Sequence, residues 1–169
     1  MKHPARWTSL TLGLIAFVAV GGGTASHAEA ELPVLGSANA ASGDLGDSTV
    51  DVNQVQRGAG GYTSIAWSVN IRSGSFNLVG MRNDLYLYGD HDMAGVTVLD
   101  EEGQVRYHPL VDSEAVCVCA GTFHPGDFVD LVEAEQSSTY WSSYLLPEDV
   151  ATVTLEVPGF EPVTDVPVE

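Results

Sequence analysis

The sequence has 169 residues and an unbalanced charge, with 23 acidic residues against six basic ones and a formal net charge of −17. This length suits one domain with a buried hydrophobic core. Proteins that bind nucleic acid or anionic membrane surfaces attract phosphate with lysine and arginine, so the charge argues against both kinds of partner.

The first 28 residues have the pattern of a secretory signal peptide. Lys2 and Arg6 give a basic start, an apolar run follows over residues 10–20, and small residues come after it. The run is too short to cross a bilayer of roughly 30 Å as a helix. Cleavage after Ala28 and after Ala30 fit equally well, and cleavage at Ala28 removes two positive charges and takes the formal charge from −17 to −19. We therefore expect a secreted, extracellular protein that does not insert into the membrane after cleavage.

Residues 29–48 are rich in alanine, glycine, serine and acidic residues and show no apolar periodicity. This composition predicts a flexible acidic leader, followed by one domain over residues 49–169. At the start of the domain, Ile65, Trp67 and Val69 alternate with small or polar residues, which predicts a strand with one buried face. A short strand is predicted to follow over residues 76–80.

The next elements are predicted as a hairpin, two strands and a terminal edge strand. Residues 95–99 and 104–111 flank an acidic turn, as in a β-hairpin, and Pro125-Gly126 is typical of a type II turn. Residues 127–135 and 151–157 are predicted strands. The terminal strand over residues 162–168 contains prolines, which suit a sheet edge because they cannot donate to a strand ladder. The sequence over residues 137–150 is irregular, and we predict a loop with one helical turn there.

These elements amount to seven or eight short strands at roughly ten-residue spacing, separated by turn residues. No apolar pattern of helical period is long enough for a core helix. The sequence therefore predicts an all-β fold, an antiparallel immunoglobulin-like β-sandwich with Trp67 in its core.

Cys117 and Cys119 are the only cysteines in the chain. Residues i and i+2 of an extended strand lie about 6.7 Å apart, at the upper limit for a disulfide, and a bend at Val118 brings them closer. Because cysteine pairs of secreted proteins are usually oxidised, we predict a Cys117–Cys119 disulfide that shapes this loop. The sharper alternative is a metal site for Cu(I) or zinc, formed by Cys117 and Cys119 with His124 and His108. A catalytic redox pair and an intermolecular disulfide are further alternatives.

Two acidic segments, residues 90–92 (Asp-His-Asp) and 100–102 (Asp-Glu-Glu), are predicted to lie in loops. Calcium takes six to eight oxygen ligands, and neither segment matches the spacing of a known calcium loop. We interpret both as solvated acidic loops, and we predict no cofactor.

The aromatic residues Tyr140, Trp141 and Tyr144 form the candidate binding surface of the chain. If exposed, they form a contact patch for a sugar or peptide, because tyrosine and tryptophan are enriched at interfaces. The alternative is that Trp141 and Leu145 close one end of the hydrophobic core.

The chain lacks the short motifs of common hydrolases, G-x-S-x-G and H-E-x-x-H, and has no phosphate-binding glycine loop after a strand. We therefore predict that the protein is not an enzyme and has no catalytic residues. A secreted hydrolase with a serine, histidine and aspartate scattered through the sequence is the alternative.

Residues 93–168 contain the C-x-C element and, farther along the chain, the motifs P-x-D-V, V-P-G-F-x-P and D-V-P-V. In these motifs the segment resembles a module of secreted actinobacterial proteins that sometimes precedes an OmpA-like domain. The resemblance implies an extracellular immunoglobulin-like fold of uncharacterised role and no catalytic residues. The expected function is a secreted binding or structural module whose partner is an extracellular protein or a component of the cell envelope. A small metal-handling protein is the first alternative.

Overall fold

Side chains that alternate between buried and exposed positions produce most of the strands. The computed structural model describes residues 32–78, 93, 95–120 and 129–169. These residues form one 3-10 turn (Gly43–Leu45) and ten strands: β1 (Gly36–Asn39), β2 (Thr49–Arg57), β3 (Thr63–Ile71), β4 (Ser75–Asn77), β5 (Thr97–Asp100), β6 (Val105–Tyr107), β7 (Leu131–Glu133), β8 (Gln136–Tyr144), β9 (Thr152–Glu156) and β10 (Val163–Pro167).

The first sheet has the strand order β1-β2-β3-β8, and its neighbouring strands are all antiparallel. In β3, the predicted alternation is confirmed, since Ile65, Trp67 and Val69 are fully buried on one side. The residues between them lie on the opposite side of the sheet.

β2 carries one extra residue, Asn53, at a break in its pairing register with β3. The bulge keeps both Val52 and Val55 on the buried side of the sheet. The Asn53 side chain is itself buried, and both ends of its amide have hydrogen-bond partners. Its Nδ2 donates to the Pro33 carbonyl (2.9 Å), and its Oδ1 accepts from the Ser68 hydroxyl (2.6 Å).

The second sheet has the strand order β10-β9-β5-β6, again antiparallel throughout. β5 and β6 form the predicted hairpin, and the Gly103 amide donates to the Asp100 carboxylate in its turn (3.0 Å). β10 lies at the edge of the sheet, as its prolines predict.

The remaining strands, β4 and β7, form a two-stranded antiparallel ribbon. The segment 117–120 lies along the side of β8 that β3 leaves free. Cys119 forms an antiparallel bridge with Ser142, and the Ser143 amide donates to the Val118 carbonyl (3.1 Å).

Side chains from both four-stranded sheets enter one hydrophobic core. The rings of Trp67 and Tyr140 lie in it with centroids 4.9 Å apart. The all-β prediction is confirmed, and the two antiparallel sheets around a shared core are consistent with a β-sandwich. The described residues contain ten strands, where the sequence indicated seven or eight.

The prediction of a loop with a helical turn over residues 137–150 is wrong for its first half. Residues 137–144 belong to β8, which pairs with β3 over the whole length of both strands. The period-two pattern is hard to recognise because a small hydroxyl residue, Ser142, lies between two tyrosines on the buried side.

The structure also differs from the flexible leader predicted over residues 29–48. β1 and the 3-10 turn lie within this range, and both belong to the compact unit Leu32–Glu169. The Ala40 amide donates to the Ser48 carbonyl (2.9 Å), and Leu45 is buried in the core. The few apolar residues of the segment are therefore enough to add an edge strand.

Several predictions fall outside the described residues: the signal peptide over 1–28, the segment 90–92, the turn at Pro125-Gly126 and His124. Among the residues that are described, no helix is long and apolar enough to cross a membrane.

Candidate functional site

The three aromatic residues of the predicted patch lie on β8 but divide between its two sides. Tyr140 and Tyr144 are buried in the core, whereas Trp141 is 37% exposed. Successive side chains of a strand point to opposite faces, so the three residues do not form one surface.

Both tyrosines are bound into the core through their hydroxyl groups. Tyr140 Oη donates to the Val129 carbonyl (2.8 Å), and Tyr144 Oη donates to the Val96 carbonyl (3.1 Å). Burial raises the pKa of Tyr140 above its usual value. These contacts are structural and leave Trp141 as the exposed member of the cluster.

Trp141 belongs to what we call the outer face, the side of the first sheet that points away from the core. This face is formed by alternate residues of the four strands and by the residues that directly precede β3 and follow β8: Ser37, Asn39, Thr49, Asp51, Gln54, Gln56, Tyr62, Ser64, Ala66, Ser68, Asn70, Ser137, Thr139, Trp141, Ser143 and Leu145. Asp51 is the only charged residue in this set, although the chain as a whole carries a net charge of −17.

Hydrogen bonds within the outer face hold its polar side chains in place. The Asp51 carboxylate accepts from Ser37 Oγ (2.5 Å) and from Asn70 Nδ2 (2.7 Å). The hydroxyls of Ser68 and Thr139 lie 2.8 Å apart. The Asp51 carboxylate therefore has hydrogen-bond donors inside the outer face, and the other residues of this face are uncharged.

A second exposed aromatic ring, that of Tyr62, lies on the same face beyond the end of β3. The Gly58 amide donates to the Tyr62 carbonyl (2.7 Å), which continues the pairing of β2 with β3. A Cβ atom added to Gly58 would lie 2.6 Å from the tyrosine ring. The ring thus lies directly on the glycine backbone, and the side chain is 41% exposed.

The spacing of Trp141 and Tyr62 follows from the strand register. Trp141 pairs with Ala66, which is four residues from Tyr62 along β3. Four residues at about 3.3 Å each and one strand spacing of about 4.8 Å place the two backbone positions about 14 Å apart. Between them lies the partly buried Ser64, whose hydroxyl is 3.0 Å from that of the buried Ser143.

Cys117 and Cys119 lie at disulfide distance, with their Cα atoms 5.4 Å apart. Both are fully buried beside β8. The loop that they close is held independently by the Val118 amide, which donates to the Leu110 carbonyl (2.8 Å). The predicted pairing is geometrically satisfied, and it shapes a segment that covers the edge of the first sheet.

The metal alternative requires thiolates, and two sulfur atoms that are bonded to each other do not act as thiolate ligands. Within the described ranges, no three histidine, cysteine or acidic residues are grouped as a metal site requires. His108 is partly buried after β6, and His124 is not among the described residues. The metal-handling hypothesis therefore stays a prediction.

The acidic segment 100–102 lines a groove of about 570 Å³ at one end of the second sheet, together with Asp149 and Asp165. Glu101 accepts a hydrogen bond from the Thr154 hydroxyl (2.8 Å). Burial, together with the nearby carboxylates of Asp100 and Asp149, raises the pKa of Tyr107, which also lines the groove. The exposed carboxylates are those expected of a solvated acidic loop.

An ion pair lies on the outward side of the second sheet. Arg106 Nε and Nη2 contact the two carboxylate oxygens of Glu156 at 2.8 and 2.9 Å, and Thr97 Oγ1 donates to Glu156 at 2.6 Å. Burial acts to raise the pKa of Glu156, but the hydrogen bonds from Arg106 and Thr97 outweigh it and hold that pKa below the usual value. This charged surface differs from the outer face of the first sheet, where Asp51 is the only charged residue.

The sequence indicated Trp141 as a candidate contact residue, but it indicated neither Tyr62 nor the outer face. The available signal was the run of small and hydroxyl residues between the buried positions of β3, Ser64, Ala66 and Ser68, which resembles the run around Trp141. Without the pairing of β3 with β8, nothing indicated that the two runs share one surface.

Comparisons of the chain with models of protein families, with curated proteins and with solved structures found no match. The resemblance over residues 93–168 therefore stays a prediction, and the functional argument depends on the geometry of the chain itself.

Proposed function

We propose that this protein is a secreted, non-enzymatic binding module that holds its partner on the outer face of the first sheet. The partner belongs to the extracellular space or the cell envelope. The single observation that carries the proposal is the exposure of Trp141 within a polar sheet face that has one charged residue, Asp51, on a chain whose net charge is −17.

An immunoglobulin-like topology supports the proposal of a binding module. In immunoglobulin domains one sheet has the strand order A-B-E-D, and the other contains C, F and G, with C′ added in variable-type domains. Lettered in chain order, β2, β3, β8 and the segment 117–120 correspond to A, B, E and D, and β6, β5, β9 and β10 correspond to C′, C, F and G. β1 and the β4–β7 ribbon are additions to this scheme.

The residues of the outer face support a recognition role. Large tryptophan and tyrosine side chains lose little conformational entropy on binding, and serine and asparagine provide adaptable hydrogen bonds, which is why binding loops of antibodies are rich in them. The outer face has this composition, with Trp141, Tyr62 and serine, threonine, asparagine and glutamine side chains around them. The signal-peptide pattern supports a partner outside the cell.

The experiment that tests the proposed function measures retention of the purified chain on a cell-envelope fraction of the producing organism. We expect the wild-type chain to be retained and Trp141→Ser to be released, because the substitution removes the exposed ring and leaves the core intact. Val105→Ser is the matched control, since Val105 is 42% exposed on β6 of the other sheet. Equal retention of the wild-type chain and Trp141→Ser would contradict the use of this face.

A further inference from the structure

We infer that the outer face binds a linear, uncharged polysaccharide, with Trp141 and Tyr62 as two stacking platforms. This inference rests on the proposed function and names the class of ligand. It is carried by the charge of the face, by the two exposed rings and by the polar side chains between them.

Charge selects an uncharged ligand. A net charge of −17 repels an anionic polymer as it approaches any side of the molecule. A cationic ligand would find one carboxylate on the outer face, that of Asp51, which is already hydrogen-bonded to Ser37 and Asn70. Such a ligand is attracted more strongly by the acidic groove that contains residues 100–102. The outer face thus offers no free charge partner to an anionic or a cationic ligand, which favours a neutral one.

The side chains of the face match a polyhydroxylated ligand. A sugar ring has apolar C–H groups on its two faces and hydroxyl groups around its edge, so it needs a flat aromatic surface and nearby donors and acceptors. The ring of Tyr62 lies on the backbone of Gly58 and its side chain is 41% exposed, and Trp141 is exposed beside the short side chain of Ala66. The amide groups of Gln54 and Gln56 lie alongside and hydrogen-bond to each other (2.9 Å).

The distance between the two platforms favours an oligosaccharide over a monosaccharide as the ligand. The two backbone positions are about 14 Å apart, which exceeds the size of one sugar ring. A monosaccharide therefore contacts only one platform, whereas an oligosaccharide of several rings contacts both and passes over Ser64 between them. Linking two weak contacts in one ligand raises the overall affinity.

The test is retardation of the full chain in native gels that contain a dissolved polysaccharide. The neutral probes are hydroxyethyl cellulose, galactomannan, xylan and soluble starch, and carboxymethyl cellulose is the charged counterpart of the first. We expect at least one neutral polymer to retard the protein and carboxymethyl cellulose to have no effect. Oligosaccharides should compete for binding, whereas monosaccharides should not.

Variants assign the contact to the two platforms. Trp141→Ser and Tyr62→Ser should each weaken binding about tenfold or more, and Tyr62→Phe should retain it because the ring is preserved. Val105→Ser should bind like the wild-type chain. Circular dichroism of each variant verifies that it is folded. If Tyr62→Ser is destabilised, the comparison of Tyr62→Phe with the wild-type chain still tests whether the ring is sufficient for binding.

The salt dependence of binding distinguishes a neutral polysaccharide from other ligands of the outer face. Binding of a neutral polymer should change less than about twofold when NaCl is raised, since no charges are screened. Strong weakening by salt would indicate a cationic ligand, and a dimer that Trp141→Ser dissociates would indicate a second copy of this chain; either result would overturn the inference. If no neutral polymer retards the protein while the envelope fraction still retains it through Trp141, the ligand class is wrong and the proposed function stands.

Discussion

Buried hydroxyl groups of the core differ in whether they have a hydrogen-bond partner. Among the described residues, Thr63 Oγ1 and Ser142 Oγ are buried without one, whereas Tyr144 Oη donates to the Val96 carbonyl. A buried polar group without a partner costs stability, and an apolar group of the same shape removes that cost.

We therefore expect Thr63→Val to raise the free energy of unfolding by about 1 kcal/mol, because valine has nearly the same shape and no hydroxyl. Urea denaturation followed by fluorescence measures the change. Tyr144→Phe is the control, with an expected loss of about 1 kcal/mol because it leaves a buried carbonyl unpaired. Destabilisation by Thr63→Val would show that its hydroxyl does have a partner in solution.

The Glu156 carboxylate gives the stability of the protein a defined dependence on pH. Its folded-state pKa lies below the unfolded value of 4.5, because the hydrogen bonds from Arg106 and Thr97 outweigh its partial burial. Its contribution to stability is thus fully present above that unfolded value and is lost as pH falls through the folded pKa. Glu156→Gln removes the contribution.

We expect Glu156→Gln to be less stable than the wild-type chain at about pH 6, and we expect the difference to shrink towards about pH 3. Denaturation midpoints of both chains across this range measure it. Glu161→Gln is the matched control, since Glu161 is an exposed acid without such partners among the described contacts. A difference that is constant with pH would contradict the assigned role of Glu156.

At the level of strands, β1 decides where the domain begins. Its backbone pairs with β2 from Gly36 to Asn39, and the Glu161 amide donates to the Asn39 carbonyl on its other side (2.8 Å). The 3-10 turn that comes next along the chain, Gly43–Leu45, buries the side chain of Leu45.

We expect removal of residues 1–47 to lower the free energy of unfolding by at least about 2 kcal/mol, because the burial of Leu45 alone contributes that much. The matched control removes residues 1–31, which are not part of the unit Leu32–Glu169, and should keep the wild-type midpoint. Thermal denaturation compares the two chains. Equal midpoints would restore the flexible leader that the sequence predicts over 29–48.

The Cys117–Cys119 loop shapes its segment more than it stabilises the fold. A loop of only three residues gains little from closure, about 1.6 kcal/mol by the entropic relation. We expect Cys117→Ser with Cys119→Ser to unfold cooperatively with a loss of at most that size. The mass of the wild-type chain should be lower than that of its reduced form by two hydrogen atoms. Two free thiols together with bound copper or zinc would instead support the metal alternative.

At the scale of the whole molecule, the net charge of −17 opposes the folded state through self-repulsion. We expect the free energy of unfolding to rise when NaCl increases from about 10 mM to about 200 mM, because the screening length falls from about 30 Å to about 7 Å. Chemical denaturation at each concentration measures the gain. CaCl₂ at equal ionic strength is the control, and a much larger gain with calcium would indicate a specific site in place of general screening.

The sequence predicted the parts of the fold in which aliphatic residues alternate with polar ones. β3, the β5–β6 hairpin and β9 were predicted for this reason, and the edge position of β10 was predicted from its prolines. β8 was missed because its buried side carries tyrosine and serine, and β1 was missed because its one partly buried alanine gives no pattern. Trp141 was identified by its type, but Tyr62 joins it only through strand pairing, which no local pattern reveals.

The extra residue Asn53 in β2 has a consequence for the shape of the outer face. A bulge increases the right-handed twist of its strand, and this one immediately precedes Gln54, whose partner Ala66 pairs in turn with Trp141. We therefore expect the surface beside Trp141 to be twisted, so that a rigid crystalline array of polymer fits the two platforms poorly. A single dissolved strand can follow the curve, so we expect soluble polymers to be bound in preference to insoluble crystalline ones.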